Sequence, residues 1–177
     1  LSLVGSEMCI RDRLNQINAG GSRPEGFVPY VTKKVGVLGA GMMGAGIAFV
    51  SASAGVDVVL KDVNLAAADR GKAHSAALLD KKVARRQISV EHRQAVLARI
   101  HTTDNDADLA GCDLIIVAVF EDRELKAKVS SAAQNVVGAD ALIASNTSTL
   151  PISGLATAVA DPSKFIGLHF FLSLIHI

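Results

Sequence analysis

The 177-residue sequence predicts an α/β domain built on a doubly wound, mostly parallel sheet, with a helical insertion after the second strand. Short apolar runs alternate along the chain with longer helical stretches, which is typical of parallel strands joined by crossover helices. Half of the residues are hydrophobic but only 4% are aromatic, so small side chains can bring helices close to the sheet. A glycine-rich turn between the first strand and the first helix supports the same fold class.

The first strand–helix–strand unit begins at residue 33. The run "KKVGVLG" (33–39) is short, apolar and β-branched, and a helix of small residues follows from about 42 to 54. Gly55 is placed to end that helix in a left-handed conformation. The run "VDVVLKD" (56–62) then predicts the second strand.

Two helices form the predicted insertion. The first covers roughly 65–86, and the second starts after Ser89, whose side chain can cap it. Glu91 lies in the first turn of that second helix, where a carboxylate complements the helix dipole. The stretch "HTTD" (101–104) predicts a short strand that returns the chain to the sheet.

The second half repeats the alternation of strands and helices. The longest apolar run, "CDLIIVAVF" (112–120), predicts a strand buried on both faces. Residues 122–137 predict an amphipathic helix, with Glu124 and Lys128 spaced to interact on its surface. The remaining predicted strands are "ALIAS" (141–145) and "FIGLHF" (165–170).

Composition excludes several classes of function. With 18 basic and 17 acidic residues the formal charge is +1, which predicts no nucleic-acid partner. The two cysteines, Cys9 and Cys112, give neither a disulfide framework nor a metal-ligand pattern, and we expect Cys112 to be a small core residue. We expect no membrane span, and residues 1–13 lack the features of a secretory signal. A cytoplasmic enzyme fits these observations, with an enzyme of an organelle matrix as the alternative.

The string "GAGMMG" places Gly39, Gly41 and Gly44 in G-x-G-x-x-G spacing between a predicted strand and a predicted helix. In a Rossmann-type domain these glycines permit a tight turn, close approach of a pyrophosphate and close packing of the helix. Asp62 ends the second strand 23 positions after Gly39, near the spacing expected for a carboxylate that binds an adenosine ribose. Its charge would repel a 2′-phosphate, which favours NAD over NADP. The alternative is a tight turn with a surface aspartate.

Longer motifs make the assignment more specific. The chain resembles the NAD-binding domain of the 3-hydroxyacyl-CoA dehydrogenases of fatty-acid β-oxidation, a pathway of lipid metabolism. The resemblance covers roughly residues 33–171 and rests on "KVGVLGAGMMGAGIA", "VVLKD", "AVFEDRELK", "ASNTSTLPI" and "FIGLHFF". The "AVFED" variant and the lead-in "LNQINAGGSRPEGF" are more similar to multifunctional proteins, in which an enoyl-CoA hydratase domain precedes the dehydrogenase.

The resemblance implies a role for each matching position. His169 would be the general base that takes the hydroxyl proton of a (3S)-hydroxyacyl-CoA while hydride leaves for the nicotinamide. Ser148 would bond the substrate's 3-oxygen beside the cofactor, and Asn146 would help to shape the substrate site. The positions implied for the cofactor site are Gly39, Gly41, Met43, Gly44, Asp62, Val119, Phe120, Glu121, Lys126 and Ser148. No metal ligand is implied.

Without the resemblance, the residues alone favour structural interpretations of these positions. Ser148 would be a turn residue, and Glu121 with Lys126 would be the solvated start of a helix. We assign no role to the remaining histidines outside the terminal segment, and we interpret a basic cluster on the insertion as a solvated helix face. Because the family binds coenzyme A through this region, contact with its phosphates is the alternative for the cluster. The histidines are His74, His92 and His101, and the cluster is Lys81, Lys82, Arg85 and Arg86. A dehydrogenase of a β-hydroxy acid without coenzyme A, and a non-catalytic NAD-binding relative, are the alternative functions.

The chain departs from the family pattern at two places. Val117 stands where the family has a glutamate, so the local polar packing is expected to differ. After "HFF" the family continues into a segment with a glutamate that orients the histidine, and into a helical domain that completes the substrate site and usually the dimer. Here "LSLIHI" follows instead, and no residue is assigned as the orienting carboxylate. We therefore expect a fragment with poor or no turnover by itself.

The predicted domain organisation follows from these departures. Residues 1–13 and 172–177 resemble translated sequencing adapters and are interpreted as non-native tails, with a genuinely short protein as the alternative. Residues 14–32 are interpreted as a linker, and residues 33–171 as the NAD-binding domain.

Overall fold

The structure is a computed structural model that describes residues 12–13, 15–17, 19–21, 23–26 and 28–170. The chain divides into two compact units, Leu1–Val31 and Thr32–Ile177. In the first unit residues 12–13 and 15–17 are helical, and Ala19 N–H donates to Asn15 O over 2.9 Å at the end of this turn. The interpreted tails lie outside the described residues except for Asp12 and Arg13, and Phe171 also lies outside them.

The second unit is built on a parallel sheet. In the described residues six strands pair in the order β3-β2-β1-β4-β5-β6, and every pair is parallel. The order reverses between β1 and β4, so the crevice beyond their carboxyl ends is the place where such sheets bind ligands. The strands are β1 Lys34–Leu38, β2 Asp57–Lys61, β3 Ile100–Thr103, β4 Leu114–Val117, β5 Leu142–Ser145 and β6 Phe165–Gly167.

Helices connect these strands, and two of them form the predicted insertion between β2 and β3. The helices are α1 Met42–Ser53, α2 Leu65–Ala84, α3 Val90–Ala98, α4 Arg123–Gln134 and α5 Ile152–Ala156, with 3₁₀ turns at Asp106–Leu109 and Pro162–Lys164. Among the described residues, no helix combines the length and the apolar character that crossing a membrane requires.

The helix ends are fixed by side chains that the sequence supplies locally. Ser89 accepts a hydrogen bond from His92 N–H over 3.1 Å at the start of α3, which confirms the predicted cap. Asn64 caps α2 and Asp122 caps α4 in the same way, through Ala67 N–H and Leu125 N–H. Gly55 follows α1 with φ of 91°, in the left-handed conformation predicted for it.

Helices cover both faces of the sheet, which confirms the doubly wound fold. One core cluster joins Val37 and Ile116 to side chains of α1, α2 and α3. The other joins Ile115 and Val117 to α4 and α5. Because Ile115 and Ile116 belong to opposite clusters, β4 is buried on both faces, as predicted.

The predicted elements were too long where the chain leaves the sheet at its carboxyl edge. The strand predicted over 112–120 spans only Leu114–Val117, and the strand predicted over 165–170 spans only Phe165–Gly167. After β6, a side chain replaces a neighbouring strand as the partner of the backbone, since Asn146 Oδ1 accepts from Phe170 N–H over 3.0 Å. The apolar pattern continues past this point, so it could not indicate the ends of the strands.

Cys112 lies 2% exposed in the second core cluster, which confirms that it is a core residue. Burial raises the pKa of its thiol to about 11, the charge of Lys34 opposes this rise, and that of Asp113 adds to it. The thiol is therefore protonated at neutral pH and is not a nucleophile.

The glycine loop depends on two close approaches of the backbone. Gly39 has φ of 97°, a left-handed conformation that side chains disfavour. At Gly44, a Cβ atom would lie 1.7 Å from Gly39 O, so only glycine fits where α1 crosses the loop. Gly41 instead is exposed, and nothing within 4 Å would meet a Cβ there. Its small size leaves room for a ligand and is not required by packing.

We expect Gly44→Ala to destabilise the chain by at least about 3 kcal/mol, because the added methyl cannot fit without moving the loop. Gly46→Ala is the matched control in α1, where a Cβ meets nothing within 4 Å and a gain of up to about 1 kcal/mol is expected. Urea unfolding of the two variants measures the difference. Equal stabilities would contradict the close approach at Gly44.

Candidate active site at the carboxyl edge of the sheet

The glycine loop and the start of α1 form one wall of the edge crevice. Gly39 N–H donates to Lys61 O over 2.8 Å, which holds the loop against the end of β2. Helix α1 begins at Gly41 without a side-chain cap, so N–H groups of its first turn are available to an anion. Met42 is 70% exposed beside them. This end of the crevice suits a phosphate group.

Asp62 ties the end of β2 to the glycine loop. Its Oδ2 accepts a hydrogen bond from Ala40 N–H over 2.6 Å, and its Oδ1 accepts from Val63 N–H over 2.7 Å. Each carboxylate oxygen has two lone pairs, so both can still accept a ribose hydroxyl. The sequence predicted that Asp62 binds the ribose, but it did not predict the hydrogen bond from Ala40 N–H that ties Asp62 to the glycine loop.

An open cleft of about 400 Å³ lies between the glycine loop, the end of β2 and α2. Met42 lines this cleft and Met43 does not, although Met43 was the residue that the resemblance implied. Met43 is half-buried in α1, and its cofactor role stays a prediction. Other residues around the cleft are Gly41, Asp62, Asn64, Arg70 and His74.

Glu121 joins the loop after β4 to the loop after β5. Its Oε1 accepts backbone hydrogen bonds from Ser148 over 3.0 Å and from Thr149 over 3.1 Å. The same oxygen also accepts the hydroxyl groups of Thr147 and Thr149. One carboxylate oxygen therefore fixes the backbone of the whole segment that carries Ser148.

Glu121 is held in place by a buried lysine. Lys126 Nζ lies 3.1 Å from Glu121 Oε2 and donates to Val119 O over 3.2 Å, with the lysine side chain only 1% exposed. The alternative of a solvated helix start is therefore wrong for Lys126. Both groups were predicted to contact the cofactor; the structure gives them partners within the protein, and direct contact stays a prediction.

The surroundings of Glu121 favour its charged form. Partial burial raises its pKa, but hydrogen bonds from Thr147, Thr149, Lys126 and Ser148 outweigh burial and bring the pKa to about 2 from an ordinary 4.5. The carboxylate is thus ionised throughout the neutral range and keeps its full capacity to accept hydrogen bonds.

Val119 and Phe120 lie between β4 and Glu121. Val119 is half-buried against the second core cluster. Phe120 is 81% exposed at the edge of the sheet, where it can contact a ligand or another segment. The sequence implied that Val119 and Phe120 lie beside the nicotinamide, and this role stays a prediction.

His169 lies beside the segment that Glu121 fixes. Its Nδ1 is 3.1 Å from the carbonyl oxygen of Thr147, and since a carbonyl only accepts, Nδ1 carries the hydrogen. In the neutral imidazole the lone pair that can accept a proton is then on Nε2. A backbone carbonyl thus sets this tautomer, and the sequence assigned no residue of this chain as an orienting carboxylate.

Asn146 connects the two segments a second time. Its side-chain oxygen accepts Phe170 N–H over 3.0 Å, and Leu168 N–H donates to Ser145 O over 3.0 Å. These bonds bring the chain before and after His169 next to the β5 loop. Ser148 is exposed on that loop.

The structure thus brings together Asn146, Ser148, Glu121, Lys126 and His169 at one edge of the sheet. Sequence reasoning missed Thr147 and Thr149, which complete the binding of Glu121. Their signal was a run of hydroxyl residues directly after a strand, a pattern also common in ordinary turns. Among the described residues, no group of three or more His, Cys, Asp or Glu side chains is placed to hold a metal ion.

Val117, the departure noted in the sequence, lies beside a buried serine of the neighbouring strand. It is fully buried in β4 and pairs in register with Ser145 of β5. The Ser145 hydroxyl is buried, and within the described residues it has no hydrogen-bond partner. The apolar side chain of Val117 cannot bond this hydroxyl, and a difference in polar packing from the family stays a prediction.

Comparisons with known proteins agree with this geometry. Residues 34–174 match the family described as "3-hydroxyacyl-CoA dehydrogenase, NAD binding domain". A 3-hydroxybutyryl-CoA dehydrogenase from Bradyrhizobium diazoefficiens is 43% identical over 143 residues, which is 79% of this chain and 48% of that protein. The chain therefore spans about half the length of this curated relative.

Solved structures show the same similarity. The (S)-3-hydroxybutyryl-CoA dehydrogenase from Ralstonia eutropha has a TM-score of 0.77 at 37% identity, covering 80% of this chain and 50% of that one. A diketoreductase described in connection with dicarbonyl compounds has a TM-score of 0.71 at 33% identity, covering 81% of this chain and 51% of that one.

Replacing Glu121 is expected to change stability in a pH-dependent way. Because its folded-state pKa lies below the ordinary 4.5, the stabilisation is complete above pH 4.5 and is lost as pH falls towards 2. Glu121→Gln should therefore cost on the order of 2 kcal/mol at neutral pH and progressively less below pH 4.5. Urea unfolding across this range measures it, with Glu124→Gln as the exposed control. A deficit that does not vary with pH would contradict the charged state of Glu121.

Ser145→Ala is expected to leave stability unchanged or to raise it by up to about 1 kcal/mol, because it removes a buried hydroxyl without a partner. Ser130→Ala is the matched comparison. The buried Ser130 hydroxyl donates to Lys126 O over 2.6 Å, and its loss should cost about 1 kcal/mol. Thermal unfolding of both variants tests the contrast, and a clear loss for Ser145→Ala would show that its hydroxyl has a partner.

Proposed function

Because the chain belongs to the family of 3-hydroxyacyl-CoA dehydrogenases, whose NAD-binding domain it contains, we propose that it serves the NAD-dependent oxidation of a (3S)-hydroxyacyl-CoA to a 3-ketoacyl-CoA. The observation that carries this proposal is that His169 Nδ1 lies 3.1 Å from the carbonyl oxygen of Thr147, which directly precedes Ser148 in the chain. A proton acceptor and a hydroxyl donor are both needed to oxidise a secondary alcohol, and NAD, when bound, accepts the hydride.

The proposed mechanism assigns one task to each residue. His169 Nε2 takes the hydroxyl proton, since Nδ1 is occupied with the Thr147 carbonyl. Ser148 can donate to or accept from the substrate's 3-oxygen, so it can bond both the alcohol and the ketone. Glu121 and Lys126 hold the Ser148 segment through the contacts already described, and α1 and Asp62 would hold the dinucleotide.

The substrate class is proposed from the relatives. The names of the relatives from Bradyrhizobium and Ralstonia specify 3-hydroxybutyryl-CoA, which favours a short acyl chain here. Fatty-acid β-oxidation, a cytoplasmic location, an oligomeric parent protein and fusion to an enoyl-CoA hydratase stay predictions of the sequence.

A reaction on a substrate without coenzyme A is the second candidate, favoured by the similarity to the diketoreductase. A substrate panel discriminates between the two. Turnover of acetoacetyl-CoA with NADH but not of a simple dicarbonyl compound supports the acyl-CoA proposal, and the reverse result overturns it.

Ser148→Ala and His169→Gln are each expected to lower the rate of acetoacetyl-CoA reduction by about 100-fold or more. The dissociation constant for NADH should change by less than about threefold, because neither side chain lines the cleft that would hold the adenosine half. NADH absorbance and fluorescence titration give the two quantities, with exposed Ser153→Ala as the control. Rates close to the parental rate in either variant would contradict the assigned roles. The parental rate itself tests the expectation that the 177-residue chain turns over slowly.

A further inference from the structure

Helix α2 brings two basic side chains to the cleft beside the glycine loop. Ala67, Arg70, Gly71 and His74 line this cleft, and their spacing places them on one face of the helix. Arg70 and His74 are both exposed, so neither is part of the core. The family assignment gives them no role.

A glycine contact fixes the distance of α2 from the loop. A Cβ at Gly71 would lie 2.8 Å from Ala40 Cβ and 2.9 Å from Ala40 O, so the helix touches the loop through a position where only glycine fits. Ala40 is also the residue whose N–H donates to Asp62. Gly71 thus places Arg70 and His74 on the same cleft as the Asp62 carboxylate.

In the part of the chain that the structure describes, three ionisable side chains line this cleft. Asp62 is the only acidic residue among the described residues that line it, and Arg70 and His74 are the basic ones. Within the described part of the chain Arg70 forms no ion pair, whereas Lys61 and Arg93 each pair with an aspartate. The guanidinium is therefore available to an anion, and a phosphate is the group that it binds best.

We propose that Arg70, with His74, forms a latent subsite for the 2′-phosphate of NADP, and that the Asp62 carboxylate alone keeps the cleft selective for NAD. The inference rests on the dinucleotide binding of the proposed function. A carboxylate at the ribose repels a 2′-phosphate and a nearby arginine accommodates one. This cleft holds both groups, so selectivity depends on a single charge.

The test measures binding and needs no turnover. NADH and NADPH are titrated by fluorescence against the 177-residue chain and against Asp62→Asn, which keeps an oxygen for Ala40 N–H but loses the charge. We expect NADPH to bind about tenfold or more tightly to Asp62→Asn than to the parent. Adding Arg70→Ala should abolish this gain, whereas adding Lys81→Ala, an exposed charge on α2 outside the cleft, should not.

A second comparison avoids the Asp62 variant and any loss of folding that it causes. In the parental chain Arg70→Ala should weaken NADPH binding by about threefold or more and leave NADH binding within about twofold. NADH binding without these NADPH effects overturns the latent subsite and leaves the proposed function intact. A parental chain that binds neither dinucleotide overturns both.

Discussion

The ion pair between Glu121 and Lys126 is the interaction on which the arrangement of the site depends. Lys126 is fully buried in α4, where an ammonium group needs compensation, and Glu121 Oε2 and the Val119 carbonyl supply it. The other oxygen of Glu121 then accepts four hydrogen bonds from residues 147–149. A buried charge on one helix thereby fixes the conformation of a loop that follows a different strand.

This constraint extends to His169. The Thr147 carbonyl that contacts Nδ1 belongs to the segment fixed by Glu121. The tautomer and orientation of the imidazole therefore depend indirectly on the Glu121 carboxylate. The position of Ser148 depends on it directly, through its backbone N–H. A loop fixed by these hydrogen bonds would hold the groups of the proposed mechanism in place before a substrate binds.

A second constraint acts at the other end of the crevice, where two helices pack directly against the glycine loop through glycine residues. Gly44 brings α1 onto Gly39, and Gly71 brings α2 onto Ala40, so the loop is enclosed by two helices at contact distance. Inside the sheet the contacts are less complete. The buried hydroxyl of Ser145, beside Val117, has no hydrogen-bond partner within the described residues.

The sequence by itself determined the fold class and the order of the elements, because hydrophobic periodicity, caps and glycine spacing are local properties. Ser89, Gly55 and the glycine loop were predicted from such signals, whereas the strand ends near residues 118 and 168 were not, since the apolar pattern runs past them. The motifs also selected Ser148, His169 and Glu121. Only the tertiary structure decided that Lys126 is buried, that Thr147 connects Glu121 to His169, and that Arg70 and Asp62 share a cleft. Those contacts join residues from different strands and helices, and their distances are set by packing between elements, which no local pattern encodes.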